Sequence, residues 1–257
     1  MPSVSRASLV ARDGVEDAVA RVRALAEANG VELVPDGDAD IAVVLGGDGT
    51  MLRALKHLLG TGVPAIGVNH GRVGFLTAMA AEDLDEGIGR VFGGDYRTVE
   101  LSTLEVTVNG ETTTAVNDVV VAGGTLGRMI ELGYAIGGED LGRQPCDGLI
   151  CATPTGSTAY NLSNGGPVLV WGIDAMVLTF VAPHSLYVRP LVVPRGPELR
   201  VVNRAVGVPT TVIVDGHAVG GLLPGDSASI RVGDQRSLLA TLPEMTFFRR
   251  YGATFRH

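Results

Sequence analysis

The spacing of apolar positions divides the chain into two regimes. In the first ninety or so residues, short apolar runs alternate with segments of helical period. Residues 7–11 form one such run. Between 14 and 29, Val15, Ala18, Val19, Val22, Leu25 and Ala26 recur at three- and four-residue steps, which predicts a helix, and Asn29-Gly30 supplies a stop. Residues 41–45 are continuously apolar, as a strand buried on both faces requires. A loop at 46–50, a helix at 51–59 closed by Gly60, a second buried strand at 63–68 and a helix at 80–92 follow. Strand–helix alternation of this kind predicts a parallel sheet with covering helices.

The pattern changes near Tyr96. Strand-like runs occupy 101–108, 112–121, 129–136, 149–153, 175–181, 191–193, 198–202, 210–214 and 228–232. Turn dipeptides such as Asn109-Gly110, Gly137-Gly138 and Pro224-Gly225 separate several of them. Residues 157–163 read as a short helix inside this β-rich region. The expectation is an N-terminal α/β lobe with a parallel sheet over 1–96 and an antiparallel β lobe over 97–239. The tail, 240–257, is placed back on the first lobe.

Composition narrows the function. Hydrophobic residues make up 46% of 257, which excludes wholesale disorder. Glycine, at 36 residues, is about twice its usual share of about 7%, and without a Gly-X-Y period it marks turns and close backbone approaches. The formal charge is −8, against general nucleic-acid or membrane-surface binding. Aromatic residues are 5%, against a base-stacking RNA module. Cys146 and Cys151 fit no zinc spacing and no disulfide framework. No run of about 18 apolar residues occurs, and residues 1–12 lack a signal-peptide pattern. A soluble cytoplasmic protein is expected.

The candidate chemistry lies in five blocks. Gly46-Gly47-Asp48-Gly49-Thr50 closes a buried strand and opens a helix. Ligands of open α/β sheets collect at that edge, and glycines followed by a helix N-terminus suit phosphate oxygens. An aspartate in such a loop fits a general base toward a hydroxyl, or a Mg²⁺ held through water. The bland alternative is a tight turn with Asp48 or Thr50 as helix cap. Neither GxxxxGK[ST] nor GxGxxG is present. The loop 69–77 follows the next buried strand, so it falls on the same edge, and Phe75 within it is placed to face a flat ring. Residues 147–167 hold many hydroxyl side chains and glycines, which suits a polyhydroxyl ligand. Asn117-Asp118 pairs an amide with a carboxylate, a combination that grips a ribose diol or a carboxamide. Asp215-Gly216-His217 reads first as a hairpin turn.

Taken together, these blocks resemble the NAD kinase family, over about 41–194, and most specifically through 147–167. Pro183-His184-Ser185-Leu186 and Arg189-Pro190-Leu191 agree as well. The resemblance implies an α/β lobe followed by a β-sandwich lobe. It implies Mg-dependent phosphoryl transfer from ATP or polyphosphate to the 2′-hydroxyl of the adenosine ribose of NAD, giving NADP. Asp48 would be the catalytic base. Gly46, Gly47, Gly49 and Thr50 would form the phosphate-donor loop. Gly49, Arg53, Phe75, Asn117, Asp118, Arg128, Asp147 and His217 would contact the dinucleotide. Thr158, Ala159, Tyr160, Asn161, Leu162 and Ser163 would line its pocket, with Tyr160 able to stack on a base. A homodimer or homotetramer is implied, and no metal ligand set is assigned. Asp118 stands where many members carry glutamate, and Pro145-Cys146 where some carry Arg-Gly. Competing readings are a kinase for a lipid or sugar hydroxyl, and a non-catalytic dinucleotide sensor. Against the first stand the hydroxyl-rich residues 153–163; against the second, an aspartate that a mere pocket does not need.

Overall fold

The computed structural model describes residues 3–71, 74–124 and 128–255. In chain order the first elements are β1 (Arg6–Ala11), α1 (Glu16–Ala28), β2 (Glu32–Leu33), β3 (Ile41–Gly46), α2 (Asp48–His57), β4 (Ala65–Asn69), β5 (Met79–Ala80), α3 (Leu84–Phe92) and β6 (Arg97–Val108). Then come β7 (Glu111–Ala115), β8 (Asp118–Gly123), β9 (Ile130–Ile136), β10 (Glu139–Cys146), β11 (Gly148–Ala152) and α4 (Tyr160–Ser163). The last are β12 (Ala175–Val181), β13 (Leu191–Pro194), β14 (Leu199–Asn203), β15 (Thr210–Val214), β16 (His217–Leu222), β17 (Ser227–Thr241) and α5 (Phe247–Phe255). Two compact units result: residues 1–101 with 236–257, and residues 102–235.

In the first unit, β2, β1, β3 and β4 lie side by side and parallel, with β3 in register Val43↔Ile66 and Leu45↔Val68 against β4. The end of β17 adds a parallel neighbour through Leu239↔Ala65. Alternation sends Ile41, Val43 and Leu45 to one face, where Val22 and Ala26 of α1 and Ile88 and Val91 of α3 cover them. α2 lies over β3 and β4 on the other face, and Met51 packs close enough to Gly67 (3.1 Å from where a Cβ would stand) to leave little room for a side chain. Burial on both faces explains the unbroken apolar run of β3.

The second unit is built mainly of antiparallel ladders. One sheet runs β10-β9-β14-β17, with β6 on β17 and β7 on β6; the other runs β13-β12-β11-β8-β15-β16. Leu104, Val106, Ile130, Leu132, Val201 and Ile230 from the first sheet share a core with Val119, Val121, Leu149, Leu178 and Val212 from the second. A smaller cluster, with Val120, Ile150 and Val177, backs the second sheet on its other side.

Several expectations shift in detail. The run 112–121 is two strands, β7 and β8, in different sheets, because the chain leaves the ladder at Val116 and Asn117. β10 and β16 were not anticipated: β10 is largely exposed, and both lie at sheet edges. β17 does not stop at Val232 but stays extended through a polar stretch. There Arg195 donates to the Gly233 carbonyl (2.6 Å) and to Asp234 (2.9 Å). The tail forms the helix α5. Both cysteines are buried and free; burial pushes the Cys146 thiol up to about 12.

Candidate active site

In the first unit the site is built at the carboxyl edge of β3 and β4. Gly46 ends β3, Gly47 caps α2, and Asp48 is the first residue of that helix. The cap is therefore backbone, and neither Asp48 nor Thr50 makes a side-chain capping bond. The first turn of a helix presents N–H groups without intrahelical partners. Gly46 has no space for a side chain, since a Cβ would lie 2.6 Å from that of buried Thr50. The His70 N–H donates to the Gly46 carbonyl (3.0 Å), and Arg12 Nη2 donates to the His70 carbonyl (2.6 Å). Burial, and then the Arg12 charge, hold the His70 imidazole below its usual range.

Asp48 does not point idly into solvent. Its Oδ2 accepts the Phe75 N–H at 2.6 Å and its Oδ1 accepts the Leu76 N–H at 3.0 Å. A carboxylate offers about four acceptor directions, so roughly half remain open. Gly74 lies against the same carboxylate so closely that any Cβ there would overlap it. Arg72 and Val73 of this loop lie outside the described residues. Phe75 enters the site through its backbone only. Its ring is buried edge-on against Phe247, with centroids 5.2 Å apart, so the expectation that it faces a flat ligand is corrected. Gly49 and Arg53 are exposed on the first turn and a half of α2.

Sequence reasoning missed Arg250, which is 2% exposed. Its Nη1 donates to the Phe75 carbonyl at 3.2 Å and also to the Thr77 carbonyl. Its Nη2 donates to the Thr241 hydroxyl at 2.7 Å. Burial pushes this guanidinium down to about 10, against the opposing pull of Asp48. A usable signal was there: Phe247, Arg250, Tyr251 and Phe255 follow i, i+3, i+4, i+8, a single helical face. A cavity of about 370 Å³ in this unit is lined by Asn69, Gly74, Thr77, Arg249 and Arg250, among others.

In the second unit the structure gathers Asn117, Asp118, residues 153–157 and Asp215. The Asp-Gly turn is the expected hairpin, with φ of 48° at Asp215 and 81° at Gly216 joining β15 to β16. Its carboxylate does more than turn the chain. It accepts the N–H groups of Val116 (3.1 Å), Asn117 (2.7 Å) and Asp118 (3.4 Å), and so holds the bend between β7 and β8. Nothing in the sequence announced that long-range anchor. Thr153 closes the bend from the other side, its N–H on the Asn117 carbonyl (2.8 Å) and its hydroxyl on the Val116 carbonyl (2.7 Å). Gly156 is pressed against the Asn117 backbone with no room for a side chain. Burial, and secondarily the Asp215 charge, push the Asp118 carboxyl up to about 6. Asn117 Oδ1 and Thr155 Oγ1 are buried with no hydrogen-bond partner among the described residues. Buried polar atoms are nearly always satisfied, so these two oxygens hold hydrogen-bonding capacity that the described residues do not use.

The remaining expected residues divide. Thr158 and Ala159 are half-buried beside this bend, and Tyr160, Ser163, Asp147, Arg128 and His217 are exposed. The His217 ring meets the Asp215 carbonyl at 3.0 Å. Leu162 is half-buried in α4. Asn161 is a correction: it is fully buried and its amide is spent internally. Its Nδ2 donates to the Ser157 and Pro167 carbonyls (both 3.0 Å), and its Oδ1 accepts from Thr179 (2.7 Å). It props the loop rather than meeting a ligand. Among the described residues no three His, Cys, Asp or Glu side chains cluster to hold a metal. No helix among them is long and apolar enough to cross a membrane.

Comparison with known proteins places the chain among its relatives. The family model for the ATP-NAD kinase N-terminal domain matches residues 8–96, and that for the C-terminal domain matches residues 116–242. The NAD kinase of Heliobacterium modesticaldum is 40% identical over 215 residues, 82% of this chain and 76% of that protein. The NAD kinase of Ralstonia nicotianae is 43% identical over 198 residues, 75% of this chain and 65% of that one. Among solved structures, yeast NADH kinase complexed with NADH superposes with a TM-score of 0.84 at 24% identity, over 100% of this chain and 89% of that chain, a likeness of fold. An NAD kinase from Archaeoglobus fulgidus in complex with ATP gives 0.77 at 26% identity, over 98% of both chains.

Proposed function

The chain belongs to the ATP-NAD kinase family, and from that premise we propose that it transfers the terminal phosphoryl group of ATP to the 2′-hydroxyl of the adenosine ribose of NAD, giving NADP. One observation carries the reading: a single carboxylate, Asp48, is aimed by two backbone N–H donors at the start of a helix whose N-terminus suits phosphate. Phosphoryl transfer asks for little covalent work from the protein; it needs positioning and charge stabilisation.

Asp48 takes the proton of the ribose 2′-hydroxyl as that oxygen bonds to the γ-phosphorus. The bond from phosphorus to the bridging oxygen breaks, and its electron pair leaves with ADP. Gly46, Gly47, Gly49 and Thr50 let the backbone approach the donor phosphates. Asn117, Asp118, Asp147 and the 158–163 segment, without the Asn161 side chain, hold the dinucleotide, with Tyr160 stacking on a base. Arg53, Arg128 and His217 are exposed polar contacts for it. The buried oxygens of Asn117 and Thr155 supply hydrogen-bond acceptors there. Mg²⁺, when bound, neutralises charge on the donor phosphates. On this reading the ion would enter with the nucleotide phosphates, a mode usual for Mg²⁺.

The test is ADP release with NAD, diacylglycerol or fructose 6-phosphate as acceptor, and with ATP or polyphosphate as donor. NAD alone should be turned over. Asp48→Asn should keep NAD affinity and lose about 10²–10⁴-fold in turnover, the usual worth of general-base catalysis. Near-normal turnover in that variant would remove Asp48 as the base, and NAD binding with no turnover in the parent protein would favour a sensor. The same reading makes the enzyme a cytoplasmic homodimer or homotetramer, measurable by light scattering.

A further inference from the structure

The peptide unit between Phe75 and Leu76 is gripped at both ends. Its N–H, that of Leu76, donates to Asp48 Oδ1 at 3.0 Å. Its carbonyl, that of Phe75, accepts Arg250 Nη1 at 3.2 Å. A peptide group is planar and turns as one body. Any rotation that releases the guanidinium therefore swings the N–H away from the carboxylate. The next carbonyl but one, that of Thr77, is held by the same Nη1. Hydrogen bonds in such a chain also polarise one another. The preceding N–H, that of Phe75, completes the hold on Asp48 at 2.6 Å, while the Phe75 ring is packed by Phe247 and Phe255 of the same helix as Arg250. A cation placed among carbonyls at 2% exposure is costly to desolvate. A helix that needed only to pack would place an apolar residue there.

We propose that Arg250 is a positioning residue for the phosphoryl transfer: it fixes the Phe75–Leu76 peptide plane, and that plane aims the Asp48 carboxylate at the acceptor hydroxyl. The inference rests on Asp48 being the base, and it adds a residue far along the chain to the machinery.

A double-mutant cycle tests it, because effects that run through one group do not multiply. Arg250→Met should lower kcat by about 10²-fold, the scale of a 1 Å misplacement, with KM for NAD nearly unchanged. Arg250→Lys, which keeps a donor, should recover part of the loss. Sub-denaturing guanidinium should recover part of the Arg250→Ala loss, because Arg250 lines the cavity and its removal opens a path to the two carbonyls. Adding Arg250→Met to Asp48→Asn should cost nothing further. In hydrogen exchange, the Phe75 and Leu76 amides should lose protection while those of β3 keep theirs. If Arg250→Met does not fold, Arg250→Lys carries the same cycle. Losses that multiply in the double variant, or a folded Arg250→Met enzyme with normal kcat, would overturn the positioning role. Near-normal turnover in Asp48→Asn alone would instead overturn the base, and the single variant reveals that separately.

Discussion

Gly74→Ala adds a single methyl group in the place where the site has least space. A Cβ built there stands 2.8 Å from Asp48 Oδ2 and 2.5 Å from Cγ, and overlaps Oδ1. A relaxed contact needs about 3.5 Å, so the carboxylate must retreat by about 1 Å or swing out. Gly74 has no positive φ, so alanine adds no backbone strain and the clash alone is read. Retreat gives up the bonds from Phe75 and Leu76. Hydrogen bonds to a charged group are worth about 1.5–3 kcal/mol each, and because Asp48 is half exposed, water replaces part of that. A net loss of roughly 2–4 kcal/mol follows, equivalent to a fall in Tm of roughly 5–15 °C for a chain of this size. The catalytic loss should be about 10²-fold in kcat for a displacement of that scale, with NAD affinity kept. The assay is ADP release at saturating NAD and ATP, beside a thermal melt. Gly89→Ala is the control: it sits in α3 with nothing within 4 Å of a Cβ, and should stabilise by about 0.5–1 kcal/mol without touching kcat. A Gly74→Ala enzyme with parental kcat and Tm would show that Asp48 is not held as described.

Three further outcomes are expected. Asp118, raised from 3.8 to about 6, disfavours folding once ionised. The penalty is absent below about pH 4, grows to about pH 6 and is then full, at roughly 3 kcal/mol. Asp118→Asn should therefore be the more stable form above pH 6 and equal below pH 4, by urea melts, and no difference at pH 8 would refute the burial argument. Asp215→Ala strands the N–H groups of Val116, Asn117 and Asp118. It should cost roughly 2–5 kcal/mol and weaken NAD binding by calorimetry at least about tenfold. Chelation by EDTA should stop turnover reversibly yet leave Tm unchanged, since an ion bound by the fold would raise it.

The α/β unit was legible because buried parallel strands and amphipathic helices write strong periodic signals. β3 and α1 read directly. β10 and β16 did not, because exposed edge strands gain little from apolar alternation and theirs is absent. The Asp48 loop and the Asn117-Asp118 pair were visible as local chemistry. Their supports were not, because Asp215 and Arg250 act on segments 97 to 175 residues away, and a lone aspartate or arginine in a sequence carries no sign of its distant partner. Asn161 and the Phe75 ring were misplaced for the related reason that residue type does not reveal which side of a loop is solvent.

Threading has a consequence for how activity is born. The first unit is interrupted by the second, and it needs residues 236–257 to be complete. A chain synthesised as far as Gln235 holds the glycine loop and the aspartate, but neither the end of β17 nor the guanidinium that steadies them. Such an unfinished product would own its reactive group without being able to point it. If Arg250 positions the carboxylate as proposed, a break near residue 245 should be silent for folding of the β-rich unit and decisive for turnover.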